Sequence, residues 1–443
     1  MNETHVSREQ LRSFLLSESP RQEAMEIVLH LLTGCTVCQK LAARLVAEMD
    51  AKGEPYVPHF CLLIEDERKV IQERADAREQ WLQLQPLNKD QRKNVIRNRE
   101  SYQTWGLFSR LNSYARIIVR EDPEQALEVA ELSLFVAMHL ETEKYGKALV
   151  ADAKLQAFTE IANAERVLED FGSATDHIDI AATWLESGTG DPMVKARLES
   201  VSASILIDVG SFEYAVQVLG EVAFINRQIN DWHEFAKTKI LQAAAYRHFD
   251  PVEGYKAARL GLRSLDASDR FTYLSGIHNL IDCMNEAGEH GEALLLYQKH
   301  KREFEAYENQ RIVFSSRWLA ARIDKGIALL TGSAAYKKHA ESALLALELD
   351  YAEAGQWQEM ALVQLDLVEL YALTGKLPQS ISTAVRAYEI LKANNLHADT
   401  QQTWIYLQQA MREYVLTEGI MAQARRVLSR YWKTGVPEAE RLA

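Results

Sequence analysis

Apolar residues recur at helical spacing along almost the whole chain, as Leu362, Leu365, Leu370 and Leu373 illustrate, and strict alternation of the strand type is not what organises it. Residues 7–16 and 21–32 read as two short helices, with Ser7 and the pair Ser19-Pro20 as start signals. A third helix is expected over 36–51, ended by the Gly53-Glu54-Pro55-Tyr56-Val57-Pro58 stretch, and another over 64–85, stopped before Pro86. The basic run containing Lys89, Arg92, Lys93, Arg97 and Arg99 then reads as a solvated helix face. Beyond it, turn signals repeat. Gly172, Gly210, Phe249-Asp250-Pro251, Gly288, Gly332, Gly375 and Gly419 follow one another at steps of 38 to 44 residues. Small residues stand five places after most of them (Ala215, Gly254, Ala293, Ser380 and Ala424), though Gly172 is followed by the bulkier His177. A small residue at a fixed offset lets two antiparallel helices approach closely. An earlier hairpin turns at Glu121-Asp122-Pro123.

Composition sharpens this picture. Only 20 Gly and 9 Pro occur in 443 residues, about half the usual share, so long helices joined by short turns are expected and a sheet-rich fold is not. Fifty Lys+Arg against 63 Asp+Glu leave a formal charge of −13, which argues against a general nucleic-acid or anionic-membrane binder. No window approaches 18 uninterrupted apolar residues, the Met-Asn-Glu-Thr-His start lacks the features of a secretory signal, and four Cys do not make a disulfide framework. A cytoplasmic protein is expected.

The segment from Asn279 to Tyr297, with Gly288 at its turn and Ala293 beyond it, closely resembles a tetratricopeptide repeat. Leu367, Tyr371, Gly375, Ala384 and Ala387 resemble a second copy. The periods exceed the nominal 34 residues of such repeats, so the helices must be longer than standard. The resemblance implies an all-α, right-handed TPR-like α-solenoid of about eight hairpins over 103–443, preceded by a small helical N-terminal domain. It also implies that the first helix of each hairpin lines a concave groove. Counting back from each turn, the groove-facing places fall on Arg166, Arg197, Lys239, Arg247, His278, Asp282, Asn285 and Arg322. Such a basic, amide-bearing wall suits an extended peptide or protein segment, with Asn clamping its backbone and Arg or Lys taking carboxylates. The alternative is that these charges pair with Asp or Glu on the neighbouring helix.

The first fifty residues carry a second pattern. In His30-Leu31-Leu32-Thr33-Gly34-Cys35-Thr36-Val37-Cys38 two thiolates separated by two residues could grip one zinc ion, with an imidazole nearby as third ligand. This arrangement at a helix end resembles the zinc-binding anti-sigma domain, with one residue more between His and the first Cys than that family typically shows. The family's further upstream ligand would correspond to His5, which lies 25 residues before His30; His59 and Cys61 are rival donors. Two ordinary buried thiols, Cys35 and Cys38, are the alternative. The division expected is 1–52 as the small, zinc-binding anti-sigma-like domain, 53–102 as linker and helical segment, and 103–443 as the repeat array. The whole also looks like bacterial regulators or adaptors of that domain order.

No G-x-S-x-G, P-loop, G-x-G-x-x-G or H-E-x-x-H motif is present. His139 and Glu143 read as a surface pair on one helix face, and His177, His233, His248 and His278 are scattered over different hairpins. Trp184, Trp318, Trp404 and Trp432 read as packing anchors, and Trp357, at an interhairpin turn, as a surface contact. The function expected is a non-catalytic scaffold or adaptor that holds a protein or peptide partner. The alternative is an anti-sigma-type regulator whose head sequesters a sigma factor while the repeats sense a signal.

Overall fold

A computed structural model describes residues 5–16, 19–32, 35–52, 67–266, 268–307, 309–393, 398–412, 417, 419–421 and 423–425. The expected linker Gly53–Pro58, the rival donors His59 and Cys61, and Trp432 lie outside them. Among the described residues all regular structure is helical. Two compact units are formed, one from Met1–Tyr114 with Leu132–Tyr145, the other from Ala115–Glu131 with Gly146–Ala443.

In the first unit, Arg8–Leu15 packs against both Arg21–Leu32 and Thr36–Lys52. Ser7 starts the first of these through a full capping box with Gln10, which satisfies two otherwise unpaired backbone donors. Leu11, Leu15, Ile27, Ala42, Leu45 and Met49 close the small core between them. Glu67–Leu84 and Lys89–Asn98 follow. The basic run is not merely solvated. Arg92 donates to the carbonyls of Leu84 and Gln85 and lies over Trp81, while Lys93 and Arg97 lie over Phe135. His139 and Glu143 do not share a helix either: Pro123–Ala137 ends before His139, whose Nδ1 lies 2.8 Å from the Phe135 carbonyl, and Glu143 belongs to the separate turn Thr142–Tyr145.

The second unit is a run of hairpins. Six are complete among the described residues: Lys147–Val167 with Phe171–Thr183, Pro192–Asp208 with Phe212–Gln228, Trp232–Tyr246 with Pro251–Ser264, Arg270–Glu286 with His290–Glu305, Gln310–Thr331 with Ala334–Glu353, and Trp357–Leu373 with Leu377–Ala393. Each first helix also packs on the first helix of the next hairpin, so the six make one continuous layer. This is the architecture of a TPR-like α-solenoid. The steps from Gly288 to Gly332 and from Gly332 to Gly375 are lengthened by the fifth hairpin, whose helices have 22 and 20 residues.

Gly210, Gly288, Gly332 and Gly375 sit at the hairpin turns with φ between 70° and 83°, the left-handed region that costs a side chain energy and glycine nothing. Gly172 and Gly419 depart from the expected phase. The first hairpin turns at Glu169, which takes the left-handed conformation itself (φ 63°), and Gly172 lies inside the following helix. Gly419 is likewise helical. The five-residue offset has its predicted meaning: Ala215, Ala293 and Ser380 are fully buried and Ala424 is buried, and a Cβ on Gly254 would stand 2.7 Å from the sulfur of Cys283 on the next first helix. Trp404 is fully enclosed, and Trp357 packs against two core clusters rather than presenting a surface contact. Among the described residues no helix is long and apolar enough to cross a membrane.

Candidate functional site

Charges on the layer of first helices are paired across neighbouring hairpins. Arg197 grips Glu160 bidentately, Nε to Oε1 at 2.8 Å and Nη2 to Oε2 at 2.6 Å. Arg166 donates to Asp208 at 2.7 Å and to Asn163. Lys239 donates to Gln242 Oε1 at 2.8 Å and lies over the Phe235 ring; burial lowers its pKa. Of the three, Arg166 and Arg197 therefore meet carboxylates of the protein itself.

The remaining predicted wall residues come together. Arg247, His278, Asp282, Asn285 and Arg322 line one cavity of about 710 Å³, a size that accommodates small ligands and short peptide segments. Asp282 is its electrostatic centre. Fully buried on Arg270–Glu286, it accepts from Arg247 Nη1 at 2.5 Å and from Arg322 Nη1 at 2.6 Å, so one carboxylate joins three successive first helices. Burial alone would push its carboxyl up; the Arg322 and Arg247 guanidiniums overcome this and hold it well below the usual range. Arg322 also pairs with Glu286.

A second buried centre lies on the next first helix. Asp366, fully buried, accepts from Trp318 Nε1 at 2.7 Å, from Lys325 Nζ at 2.6 Å and from Arg425 Nη2 at 2.6 Å. Lys325 and Arg425 both also face Glu369. Arg247, Arg322, Lys325 and Arg425 are thus matched by Asp282, Glu286, Asp366 and Glu369, and the basic wall expected from the sequence is charge-balanced here.

The cavity's imidazoles are tuned the same way. Burial, followed by the nearby Arg247 charge, keeps His248 well below its ordinary pKa and lowers His278; burial and Lys325 lower His290. His248 stacks flat on Phe212 with ring centroids 3.7 Å apart, and His290 Nδ1 lies 2.8 Å from Asn285 Oδ1. Leu319, Leu329, Leu330, Leu362 and Met421 supply apolar lining. Carboxylates held ionised and imidazoles held neutral are fixed hydrogen-bonding groups, not acids and bases poised near neutrality.

Sequence reasoning missed Lys325, Asp366, Glu369, Arg425, Glu286 and His290. Counting back from Gly375 would have found Glu369, and the count from Gly288 covers Glu286. Asp366 and Arg425 fall outside groove-facing register and had no signal.

In the first unit the four predicted donors converge. His5, His30, Cys35 and Cys38 offer ligand atoms all within 4.8 Å of one another. His30 Nε2 and Cys38 Sγ are 3.2 Å apart, Cys35 Sγ and His5 Nδ1 3.3 Å, and Cys38 Sγ and His5 Nδ1 3.7 Å. Four donors bound tetrahedrally at zinc distances of 2.0–2.3 Å lie roughly 3.3–3.8 Å apart, so the donor elements suit such an ion and these three separations lie close to that range. Cys38 is fully buried, and burial pushes its thiol up, which a cation among the donors would reverse.

No protein-family model and no curated protein matches this chain. Among solved structures, the crystal structure of the apo form of RapI is similar, with a TM-score of 0.46 and 10% identity, covering 92% of this chain and 99% of that one.

Proposed function

We propose that the chain is a non-catalytic repeat scaffold that holds a peptide or protein partner in the cavity around Asn285, in a regulatory role. The observation that carries this reading is the cavity itself, where three successive first helices present fixed polar groups beside the apolar Leu319, Leu330 and Leu362. Their side chains are locked by ion pairs before any partner arrives, which limits the entropy lost on binding. Asn285 can clamp a backbone amide, and the leucines can accept an apolar side chain. The test uses full-length protein as bait in the cell it comes from. Asn285→Ala combined with Leu330→Asp should abolish capture of the partner, whereas Arg386→Glu, on an exposed face of another hairpin, should leave it intact. Capture unaffected by the first pair overturns the reading.

The second reading is the anti-sigma-type regulator, and the His5, His30, Cys35 and Cys38 set favours it. These residues would hold Zn2+, which supplies a structural crosslink between the helix ends that carry them. The full chain should then copurify with one equivalent of zinc by elemental analysis, and Cys35→Ser with Cys38→Ser should remove it. Loss of sigma-factor capture in the same variant would assign that partner to the head; capture unchanged in metal-free protein would exclude it.

A further inference from the structure

One side of the cavity is closed by the chain's own last described residues. Residues 419–421 and 423–425 are helical, and Met421 and Ala424 are anchored by packing with Trp404, Leu407 and Met411. From this segment Met421 and Arg425 enter the cavity lining. Arg425 Nη2 donates to Asp366 Oδ1 at 2.6 Å and lies 3.5 Å from Glu369 Oε2.

The electrostatics of that contact are those of a bound ligand. Asp366 and Glu369 are two carboxylates, and Lys325, which touches both, neutralises only one of them. Arg425 supplies the second positive charge. With Arg425 withdrawn, an uncompensated negative charge would remain on a pair that includes the fully buried Asp366, which is strongly unfavourable unless another cation enters. A guanidinium is the side-chain group best matched to paired carboxylates, because its planar fork donates to both while its apolar stem lies along hydrocarbon. The cavity offers that hydrocarbon in Trp318, Leu319 and Leu362.

We propose that Arg425 is an internal stand-in for an arginine of the partner: an arginine-bearing peptide takes its place on Asp366 and Glu369 and releases the 419–425 segment. This rests on the cavity being the partner's site. The exchange swaps one guanidinium for another, so no charge is left unpaired, whereas a neutral or acidic peptide cannot make it. Arg425 competes intramolecularly, at high effective concentration, so a single free arginine side chain binds the intact protein weakly.

The probe is Nα-acetyl-L-arginine amide, with the uncharged isostere Nα-acetyl-L-citrulline amide as control, both titrated calorimetrically into full-length protein. Arg425→Gln should bind the arginine probe at least ~10-fold tighter than the wild type does, and the citrulline probe no better than the wild type. In the wild type, a large excess of the arginine probe should speed amide hydrogen exchange of residues 419–425. The proposal is overturned if folded Arg425→Gln does not prefer arginine to citrulline. Should that variant fail to fold, unchanged exchange at 419–425 under excess arginine probe overturns it equally. If the arginine probe behaves as expected but Asn285→Ala with Leu330→Asp leaves partner capture unchanged, the cation site stands and the cavity is not the partner's site. The opposite pair of results removes the role of Arg425 and leaves the cavity as the partner's site.

Discussion

The donor cluster of the first unit and the ion-pair cavity of the second are assembled on different terms. His30, Cys35 and Cys38 stand at the end of one helix, the turn and the start of the next, and only His5 comes from farther away. Its members are lone-pair donors with no cation among them. In the cavity the ion pairs cross between successive hairpins or to the segment beyond the last one, with partners 35 to 59 positions apart, and each buried carboxylate is already matched by cations. The first arrangement gathers donors whose charge a cation would balance; the second has satisfied its own charges, so what it offers a partner is shape, amide contacts and exchange of one cation for another.

That contrast can be broken most forcefully at the donor cluster. If a metal supplies its missing charge, chelation should unfold Arg8–Leu15, Arg21–Leu32 and Thr36–Lys52, with an apparent loss on the order of 10 kcal/mol, seen as lost amide protection in those helices while the repeat array keeps its own. Protection unchanged in chelator would remove the metal from the account. In the cavity the largest effect belongs to Asp282→Ala, which leaves the buried Arg322 and the half-buried Arg247 without their shared carboxylate. Urea denaturation should show a loss of ~3–5 kcal/mol, and a loss below about 1 kcal/mol would mean the pair is not desolvated as described.

Acid should then act on the cavity in two stages. His248, His278 and His290 have pKa values lowered from an ordinary 6.5 in the folded protein. The unfolded chain therefore binds more protons as the pH falls through that value, and stability present above about pH 6.5 declines below it. Asp282 and Asp366 are held below an ordinary 3.8, so their contribution persists to about pH 4 and is lost only beneath it. A melting temperature that is flat from pH 7 to pH 5 would refute the first stage. The smallest effect is the control. Arg270 and Glu303 form an exposed pair, and Arg270→Ala should cost less than ~1 kcal/mol by the same denaturation measurement.

Much of this organisation was legible in the order of residues. Glycines at a near-constant step located the turns because only glycine enters the left-handed region freely, and small residues five places on marked close helix contacts. The reasoning failed where another residue bore the strain: Glu169 takes the turn conformation expected of Gly172. The four donors were nameable because Cys35 and Cys38 share one helix start and His30 ends the helix before it. Register placed eight residues along a groove wall, and five of them line one cavity. The second buried centre was not placed by it, since Asp366 and Arg425 occupy positions whose neighbours are set by how successive hairpins stack.

By itself, then, the sequence determined the all-helical repeat and most of its turns, because helical period and turn geometry are local properties of the chain. Only the tertiary structure decided that Arg197 meets Glu160, that Asp282 binds two guanidiniums, and that Arg425 closes the cavity on Asp366. A charge in a sequence is unpaired until the fold brings its counter-charge within hydrogen-bond reach. The same basic residues that read as an anion-binding wall become, once packed, the balanced frame of a cavity.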